Sequence, residues 1–347
     1  MAYTTINKSG DYFNTKLYTG NGSTQSITGV GFQPDWVWIK QRNLAYSHVL
    51  FDAVRGVGKN IQSNSTAAEE TNNSSGYLSA FDSDGFTLSQ GSSNGDRVNG
   101  AYNYVGWNWK ANGQGSSNTD GSINTTYTSA NTTSGFSIST YAGTGSAATV
   151  GHGLGAVPKM IIVKRLNGAS DWMVYHESIG NDHRLRLNTT AAKQDNPVWN
   201  DTTPTSSVFS MNDNGDANAS GGNYVAYCFA EKKGFSRFGS YVGNGSVSGP
   251  FVYTGFKPAF VLVKNASAAN NWFLQDSKRL GYNGANHLQK PNSNGADDTG
   301  THIDMLSNGF KTIVSSANCN GSGNTMIYMA FAEEPFVASN GVPAVAR

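Results

Sequence analysis

Short apolar runs recur at three places in the chain, and each lies between a proline and a lysine. The runs cover residues 36–39, 160–163 and 260–263 and read WVWI, MIIV and FVLV. Uninterrupted apolar residues rich in β-branched and aromatic types predict strands that are covered on both faces. Proline fits the start of such a strand because it lacks an N–H donor, and the lysine is expected to carry its charge to solvent. A polar loop and a second apolar run follow each lysine, which predicts a β-hairpin.

These hairpins belong to a longer unit that occurs three times. Each occurrence opens with a tyrosine-glycine phrase, at 18–23, 141–146 and 241–246. Each proline precedes its lysine by six residues, and a ring follows that lysine eight residues later, as His48, Trp172 and Trp272. The occurrences close on similar apolar segments at 102–109, 223–230 and 325–332. The pattern predicts an all-β fold of three tandem homologous β-sandwich modules, jelly-roll-like and about 100 residues each.

The predicted boundaries follow from the same landmarks. Module 1 covers residues 1–112, module 2 covers 135–233 and module 3 covers 234–347. Residues 113–134 are rich in Gly, Ser, Asn and Thr, which predicts a flexible or loosely ordered connector. Modules 2 and 3 have no such gap and are expected to pack as a rigid pair. No convincing amphipathic helix is predicted, only a single helical turn at 64–70 and at 187–194.

Asp-Gly and Asn-Gly pairs add further hairpins to this pattern. Residues 81–88 read FDSDGFTL and residues 305–313 read MLSNGFKTI. Aspartate or asparagine followed by glycine is the strongest short signal for a tight turn between strands, because both residues tolerate a positive φ. Each segment is therefore predicted to form two strands joined by a short turn.

Composition and charge exclude several classes of protein. Of the 347 residues only 14% are charged, and the net charge of +1 argues against a nucleic-acid surface. The 41 glycines could indicate disorder, but 12% aromatic residues argue for a packed fold. Cys228 and Cys319 occupy non-matching places, so neither a disulfide framework nor a zinc site is expected. The chain opens without an apolar leader and has no run long enough for membrane insertion.

From its motifs we expect the chain to be no enzyme and to have no cofactor and no metal site. The chain lacks an H-E-x-x-H and a G-x-S-x-G motif, and no G-x-G-x-x-G precedes a helix. The adjacent carboxylates at 69–70 and 297–298 would point to opposite faces of a strand, which does not suit a glycosidase pair. The segments at 82–85 and 213–216 resemble the start of a calcium loop but lack its closing glutamate. A turn explains both segments, and whether a loop binds calcium stays open.

Tryptophans are the remaining candidates for ligand contact, because a flat ring can lie beneath a sugar face. Trp172 and Trp272 occupy matched places in the repeat, and core packing is favoured for both. Trp199 lies in the segment NPVWND and has no counterpart in the other repeats. Trp199 is therefore the candidate exposed ring and the candidate ligand-binding residue.

Several phrases of the chain resemble a family of virion proteins from tailed marine phages. In the first repeat they are LYTGNGS, GFQPDWVWIK and YVGWNWKANG, and in the third they are FGSYVGNGS, GFKPAFVLVK and IYMAFAEEPF. These phages infect cyanobacteria and SAR11-type bacteria, and the family members are described as tail-fibre-like or structural. The resemblance covers essentially the whole chain. It implies synthesis in the host cytoplasm, a place in the virion and no catalytic residues.

The function expected from this resemblance is that of a tail fibre or tail appendage that contributes to attachment to host-surface glycan. A capsid-decorating or other non-receptor structural protein is the alternative, and a glycan-cleaving enzyme is a third. The expected partners are other virion proteins, such as a tail hub, an adaptor or the capsid, and a host glycan or receptor. A homo-oligomer is expected, with a trimer among the options. Because the chain has no heptads or shaft pattern, a compact appendage, a distal tip or a capsid-surface position fits best.

Overall fold

A computed structural model describes residues 4–279, 283, 287–300, 302–335 and 337. Nearly all regular structure in this part of the chain is β-strand, which confirms the predicted all-β sandwich class. The strands form three large antiparallel sheets, each made from its own stretch of chain, together with three small sheets. We call the strands of residues 13–109 the first unit, those of 127–229 the second unit and those of 236–335 the third unit.

The first unit contains nine strands in the described residues. They are β1 (Phe13–Thr19), β2 (Gln25–Thr28), β3 (Trp36–Gln41), β4 (Val49–Asp52), β5 (Lys59–Gln62), β6 (Glu70–Thr71), β7 (Tyr77–Asp82), β8 (Gly85–Ser89) and β9 (Asn103–Trp109). The large sheet has the order β1-β9-β3-β4-β5-β6, and the small sheet has the order β2-β8-β7. The predicted hairpin around the Asp-Gly pair is confirmed as β7 and β8.

The second unit repeats the strand order of the large sheet and adds one edge strand to it, while its small sheet has two strands in the described residues. Its strands are β10 (Tyr127–Asn131), β11 (Phe136–Ala142), β12 (Ala148–Gly151), β13 (Met160–Arg165), β14 (Met173–His176), β15 (His183–Arg186), β16 (Gln194–Asp195), β17 (Val208–Met211) and β18 (Asn223–Phe229). The large sheet has the order β10-β11-β18-β13-β14-β15-β16, and β12 pairs with β17. The extra strand β10 lies at the sheet edge beyond β11.

The third unit has the same central strand order. Its strands are β19 (Ser236–Val242), β20 (Phe251–Tyr253), β21 (Phe256–Asn265), β22 (Phe273–Asp276), β23 (Leu288–Gln289), β24 (Ile303–Leu306), β25 (Gly309–Thr312) and β26 (Thr325–Pro335). The large sheet has the order β19-β26-β21-β22-β23, and the small sheet has the order β20-β25-β24. The predicted hairpin around the Asn-Gly pair is confirmed as β24 and β25.

Helical structure is limited to single turns in the described residues. Three are 3₁₀ turns, Ser9–Asp11, Glu177–Ile179 and Pro197–Trp199, and two are α-helical, α1 (Gly215–Asn218) and α2 (Ala317–Asn320). The prediction of a helical turn at 64–70 and at 187–194 is wrong, because these segments are irregular loops between short strands. Their backbone groups bind to the neighbouring unit instead, as described below.

The proline-to-lysine strands are buried on both faces, as predicted. In β3, Trp36 and Trp38 point into one core, and Val37 and Ile39 point into another. The same alternation occurs in β13 and β21. The expected exposure of the lysine is wrong, because the three lysines that end these runs are fully buried, namely Lys40, Lys164 and Lys264.

One apolar core is shared by all three large sheets, while three smaller cores lie between each large sheet and its small sheet. In the shared core the ring of Trp36 lies 4.6 Å from that of Tyr227, between the first and second units. Trp109 lies 5.5 Å from Phe260, between the first and third units. The ring centroid of Phe331 lies 6.1 Å from that of Phe229, between the third and second units. Each unit therefore packs against both others.

Loops at the rim close the three units into a ring. Matched backbone hydrogen bonds of 2.8, 2.9 and 2.9 Å join Glu69 N to Leu166 O, Lys193 N to Ala266 O and Asp297 N to Arg42 O. Each acceptor stands two residues after the buried lysine of its own unit. The first unit thus docks on the second, the second on the third and the third on the first. The boundaries of independent modules at 112, 134 and 233 stay a prediction.

A buried asparagine explains the tyrosine-glycine phrase in each unit. Asn218 accepts a hydrogen bond from Thr144 N at 2.8 Å and donates to Ser146 O at 2.6 Å. Gly145, between these two residues, has a φ of +72°, a region that disfavours residues with a Cβ. The equivalent asparagines, Asn99 and Asn320, hold the matching loops in the same way.

Part of the connector is ordered and packed on the second unit, so the expectation of a loosely ordered segment is wrong for that part, while about half of residues 113–134 are exposed. Its strand β10 pairs with β11, and Ile123 forms a bridge to Val150. Ile123 is only 6% exposed and belongs to the core of the second unit. Buried hydroxyls bond to one another, with Thr128 3.0 Å from Ser139. Such hydrogen bonds let a polar segment pack without leaving its donors unpaired.

Candidate functional site

A groove of about 490 Å³ lies where the connector, the first unit and the second unit meet. The first unit contributes one wall, β11 and the loop after β13 contribute a second, and β10 with the preceding connector forms a third. The lining residues are Val54, Arg55, Lys59, Glu69, Gln114, Thr126, Tyr127, Thr140, Tyr141, Leu166, Asn167, Asn223 and Tyr224. The connector therefore forms one wall of the groove between the first and second units.

The floor of the groove carries charges that balance one another. Arg55 binds Asp52 at 2.5 Å and Glu69 at 3.0 Å, and Lys59 lies 3.8 Å from the Glu69 carboxylate. Tyr227 of the second unit donates to Asp52 at 2.7 Å. Burial lowers the pKa of the Arg55 guanidinium, but the Asp52 carboxylate opposes this and leaves that pKa above its ordinary value. When the buried Asp52 carboxylate behind Arg55 is counted, two cations are balanced by two carboxylates, although Asp52 itself does not line the groove.

Amide and hydroxyl groups form the rim. Gln114, Thr126, Asn167 and Asn223 are all exposed there. The Asn167 amide is held in place because it donates to Gly221 O at 2.8 Å and accepts from Asn223 N at 3.0 Å. Fixed amide groups can recognise hydroxyls without a large loss of side-chain entropy.

An aromatic ring stands beside these polar groups. Tyr127 is half-buried at the start of β10, and its side chain packs against the shared core. The adjacent Thr126 N donates to Thr140 O at 2.7 Å, which fixes the backbone that carries the ring. A rigid ring flanked by amides and hydroxyls is suited to a ligand that has one apolar face and many hydroxyls.

The structure corrects the prediction for Trp199. The ring is only 1% exposed and lies 5.8 Å from Tyr175 in the core of the second unit. The 3₁₀ turn Pro197–Trp199 directs the indole inward, where it fills the space above the large sheet. A buried ring cannot serve as a stacking platform for an external ligand, so the predicted exposure of Trp199 is wrong.

The matched tryptophans lie in the core, as favoured from the sequence. Trp172 is buried, and its Nε1 donates to Gln62 O of the first unit at 3.0 Å. Trp272 is also buried and donates to Arg186 O of the second unit at 2.8 Å. Both rings therefore tie a hairpin to the preceding unit.

The segments that resemble calcium loops have carboxylates engaged in turns. Asp84 accepts from Gly29 N at 2.9 Å and from Gly31 N at 2.6 Å, and these bonds lower the pKa of its carboxyl. Asp216 accepts from Ser170 Oγ at 2.9 Å. Within the described ranges, no group of three or more His, Cys, Asp or Glu side chains could hold a metal ion.

The carboxylates at 69–70 and at 297–298 form ion pairs within the fold. Glu69 belongs to the groove, while Glu70 binds Arg97 on the other side of the strand. At 297–298, Asp297 is buried against Arg279 and Arg42. Burial raises the pKa of Asp297, but the Arg279 charge and the Arg42 hydrogen bond oppose this and hold it at about 2. Both pairs therefore serve ion pairing within the fold.

The groove was missed from the sequence because its walls come from three separate stretches. One signal was available: the segment FSIST at 136–140 alternates apolar and polar residues, and it follows YTSAN at 127–131 across a TTSG turn. Two such runs around a glycine-containing turn predict a hairpin, and this one makes β10 a wall. Which loops would face Tyr127 could not be deduced without the ring arrangement.

Comparison with known proteins relates the chain to a protein family. A family model described as a domain of unknown function, DUF7483, matches residues 8–335. No curated protein and no solved structure matches the chain. In the part of the chain that the structure describes, none of the helices has the length and apolar character that a membrane crossing requires.

Proposed function

We propose that this chain, which belongs to the DUF7483 family, is a structural virion protein of a tailed phage. In this proposal it is part of a tail fibre or tail appendage and contributes to attachment by binding a host-surface glycan. The resemblance of its phrases to tail-fibre-like virion proteins supports the location. The groove beside Tyr127 is the observation that supports glycan binding.

The lining of the groove supports a neutral glycan as the ligand. The Tyr127 ring can lie against the apolar face of a sugar, while Asn167 and Gln114 reach its hydroxyls. Because Arg55 and Glu69 are paired on the floor, neither offers an unbalanced charge. A single shallow site of this kind binds weakly, and many copies on one particle would supply the avidity that adhesion needs.

Binding of the purified chain to host-surface polysaccharide tests this proposal. Substitution Tyr127→Ala is expected to weaken binding about tenfold, since stacking contributes about 1 kcal/mol or more. Substitution Asn167→Ala is expected to weaken it to a similar extent. Asn43→Ala is the matched control, because Asn43 accepts the equivalent hydrogen bond from Asn103 N at 2.7 Å but does not line the groove. Equal loss in the Asn167 and Asn43 variants would contradict the groove as the site.

Labelling of intact particles with an antibody tests the location separately. Label at the tail is the expected result, and the purified chain is expected to compete with particles for adsorption to host cells. Label spread over the head would contradict the tail assignment. Release of reducing ends from the polysaccharide would identify a depolymerase and contradict the non-enzymatic proposal.

A capsid-decorating protein is the second candidate, and one observation favours it. The three units close into a ring through matched contacts, which gives a single chain an approximate threefold form. Such a form would suit a threefold position on a capsid surface. Binding of the purified chain to empty capsids, together with failure to block adsorption, would support this candidate over the first.

A further inference from the structure

The small sheet of the third unit ends in a strand with an open edge. In β20, Val252 points into the core, whereas Phe251 and Tyr253 are 47% and 51% exposed. β20 pairs with β25 on one side only. The outward positions of β20 carry neither a charged residue nor a proline, and a strand edge of this kind is a ready template for pairing with another strand.

The backbone hydrogen bonds between β20 and β25 leave the N–H and C=O groups of two β20 residues facing outward. Thr254 N donates to Asn308 O at 3.0 Å, and Thr312 N donates to Pro250 O at 3.2 Å. The residues bonded to β25 are therefore 250, 252 and 254, because bonding alternates along an antiparallel pair. The backbone groups of Phe251 and Tyr253 point away from β25. No other described residue bonds to their backbone N–H or C=O.

The second unit shows how the equivalent edge is covered. There Ile123 N donates to Thr149 O at 3.0 Å, and Ser122 N donates to Thr149 Oγ1 at 2.8 Å. Thr149 corresponds to Phe251, since the buried neighbours Val150 and Val252 face matching phenylalanines across each small sheet. An extended segment therefore fits this kind of edge.

In the first unit, polar residues make the equivalent strand edge less suited to pairing with a second strand. Its strand β2 carries Ser26 and Thr28 at the places of the third unit's exposed rings. Both residues are exposed, and both are polar. The third unit alone combines an uncovered edge in the described residues with two outward aromatic rings, so it presents the surface that a second strand would stabilise.

We propose that β20 pairs antiparallel with β20 of a second copy of this chain, centred on Val252. In this register Phe251 of one chain faces Tyr253 of the other, and both residues have outward backbone groups. Two such pairs exchange about four backbone hydrogen bonds. The four rings lie on one face of the seam, where cross-strand aromatic pairs stabilise a sheet.

Charge and number favour a second copy as the occupant. On this face Lys311 lies opposite Phe251 on β25, and the Arg237 side chain lies close to Tyr253. The two copies of Lys311 would stand three strand spacings apart, about 14 Å, beyond the screening length at physiological salt. Because the aromatic edge occurs in one unit of each chain, a self-complementary contact joins two chains and then closes.

Sedimentation of the full chain at about 1 to 100 µM tests the proposal. The natural chain is expected to show a monomer–dimer equilibrium. The double substitution Phe251→Ser with Tyr253→Thr gives β20 the polar residues that Ser26 and Thr28 supply in β2. It is expected to weaken dimerisation at least about tenfold. Val57→Thr is the control, because Val57 is 51% exposed on the first unit and should leave the equilibrium unchanged.

Amide exchange supplies a readout that does not depend on the substitutions. Exchange at the Phe251 and Tyr253 amides is expected to slow as the concentration of the natural chain rises, and to return to its fast rate on dilution. A monomer at about 100 µM, a dimer that persists in the double variant, or a trimer would each overturn the proposal.

Discussion

Asp52 of the first unit accepts a hydrogen bond of 2.7 Å from the hydroxyl of Tyr227 in the second unit. The matching carboxylate of the third unit, Asp276, accepts from Trp107 Nε1 of the first unit at 3.1 Å. At the remaining junction His176 bonds to Tyr328 O at 3.1 Å. Each junction therefore places a polar group at the same point beside the shared apolar core, which fixes the register of one unit on the next.

Substitution Asp52→Asn tests how much the Asp52 carboxylate contributes to the free energy of unfolding. The change leaves the buried Arg55 guanidinium without its closest counter-charge, and breaking a buried pair costs about 3 to 5 kcal/mol of unfolding free energy. Denaturant unfolding measures the effect. Asp11→Asn is the control, because the Lys8–Asp11 pair is exposed and should contribute nothing measurable. A similar small loss in both variants would contradict a structural role for the junction carboxylate.

Acid sensitivity is predicted from His176. Burial lowers the pKa of its imidazole to about 4, below the ordinary value of 6.5. The unfolded chain therefore binds more protons between these values, and stability falls as the pH drops from 6.5 to 4, by about 3 kcal/mol for this group. Unfolding midpoints measured from pH 7 to 4 should show a shallower decline in His176→Gln. The buried His48, whose pKa burial also lowers, leaves a residual slope.

Some of this arrangement could be predicted from the sequence, because local pattern reports local burial. The run from Trp36 to Ile39 is apolar at every position, which indicates a strand with two covered faces, and the structure confirms it. The eight-residue spacing from lysine to ring placed Trp172 and Trp272 at equivalent core positions. Periodicity was sufficient here because each signal is contained within one hairpin.

Other features depended on partners far away in the chain and could not be predicted. Lys164 is buried because its ammonium donates to Thr66 O in the preceding unit and to Ser170 O. Nothing near residue 164 indicates those carbonyls. The composition of the connector indicates a loose segment, yet Ile123 packs into the core of the second unit. Trp199 lacked a counterpart in the repeat, but a residue without a counterpart can still be buried.

The buried lysines predict a rise in stability at alkaline pH. Burial lowers the pKa of Lys164 to about 8, and the same holds for the equivalent Lys40 and Lys264. Between pH 8 and 10 the unfolded chain binds more protons than the folded one, so stability increases with pH in that window. Each lysine should contribute about 2 kcal/mol by pH 9.5. Above pH 10 the buried tyrosines oppose the trend, because burial raises the pKa of Tyr141 and it remains neutral in the fold.

Denaturant midpoints measured between pH 7 and 10 check this prediction. Substitution Lys164→Met should reduce the rise by about a third, because one of three equivalent groups is removed. Lys59→Met is the control, since Lys59 is 43% exposed and should leave the slope unchanged. A slope that is unaffected by Lys164→Met would contradict the assignment to these ammonium groups.

Unfolding of the whole chain is expected to occur in one cooperative step, because the three large sheets share a core. Residues 135–233 alone would expose the face that carries Phe136, Ile138 and Phe229. Calorimetry of the full chain should give equal calorimetric and van't Hoff enthalpies, and the isolated 135–233 segment should lack a sharp transition. Three separate transitions, or a stably folded isolated segment, would show that each small core is sufficient. The shared face would then be an interface between independent domains, because large exposed apolar patches favour association without being required for folding.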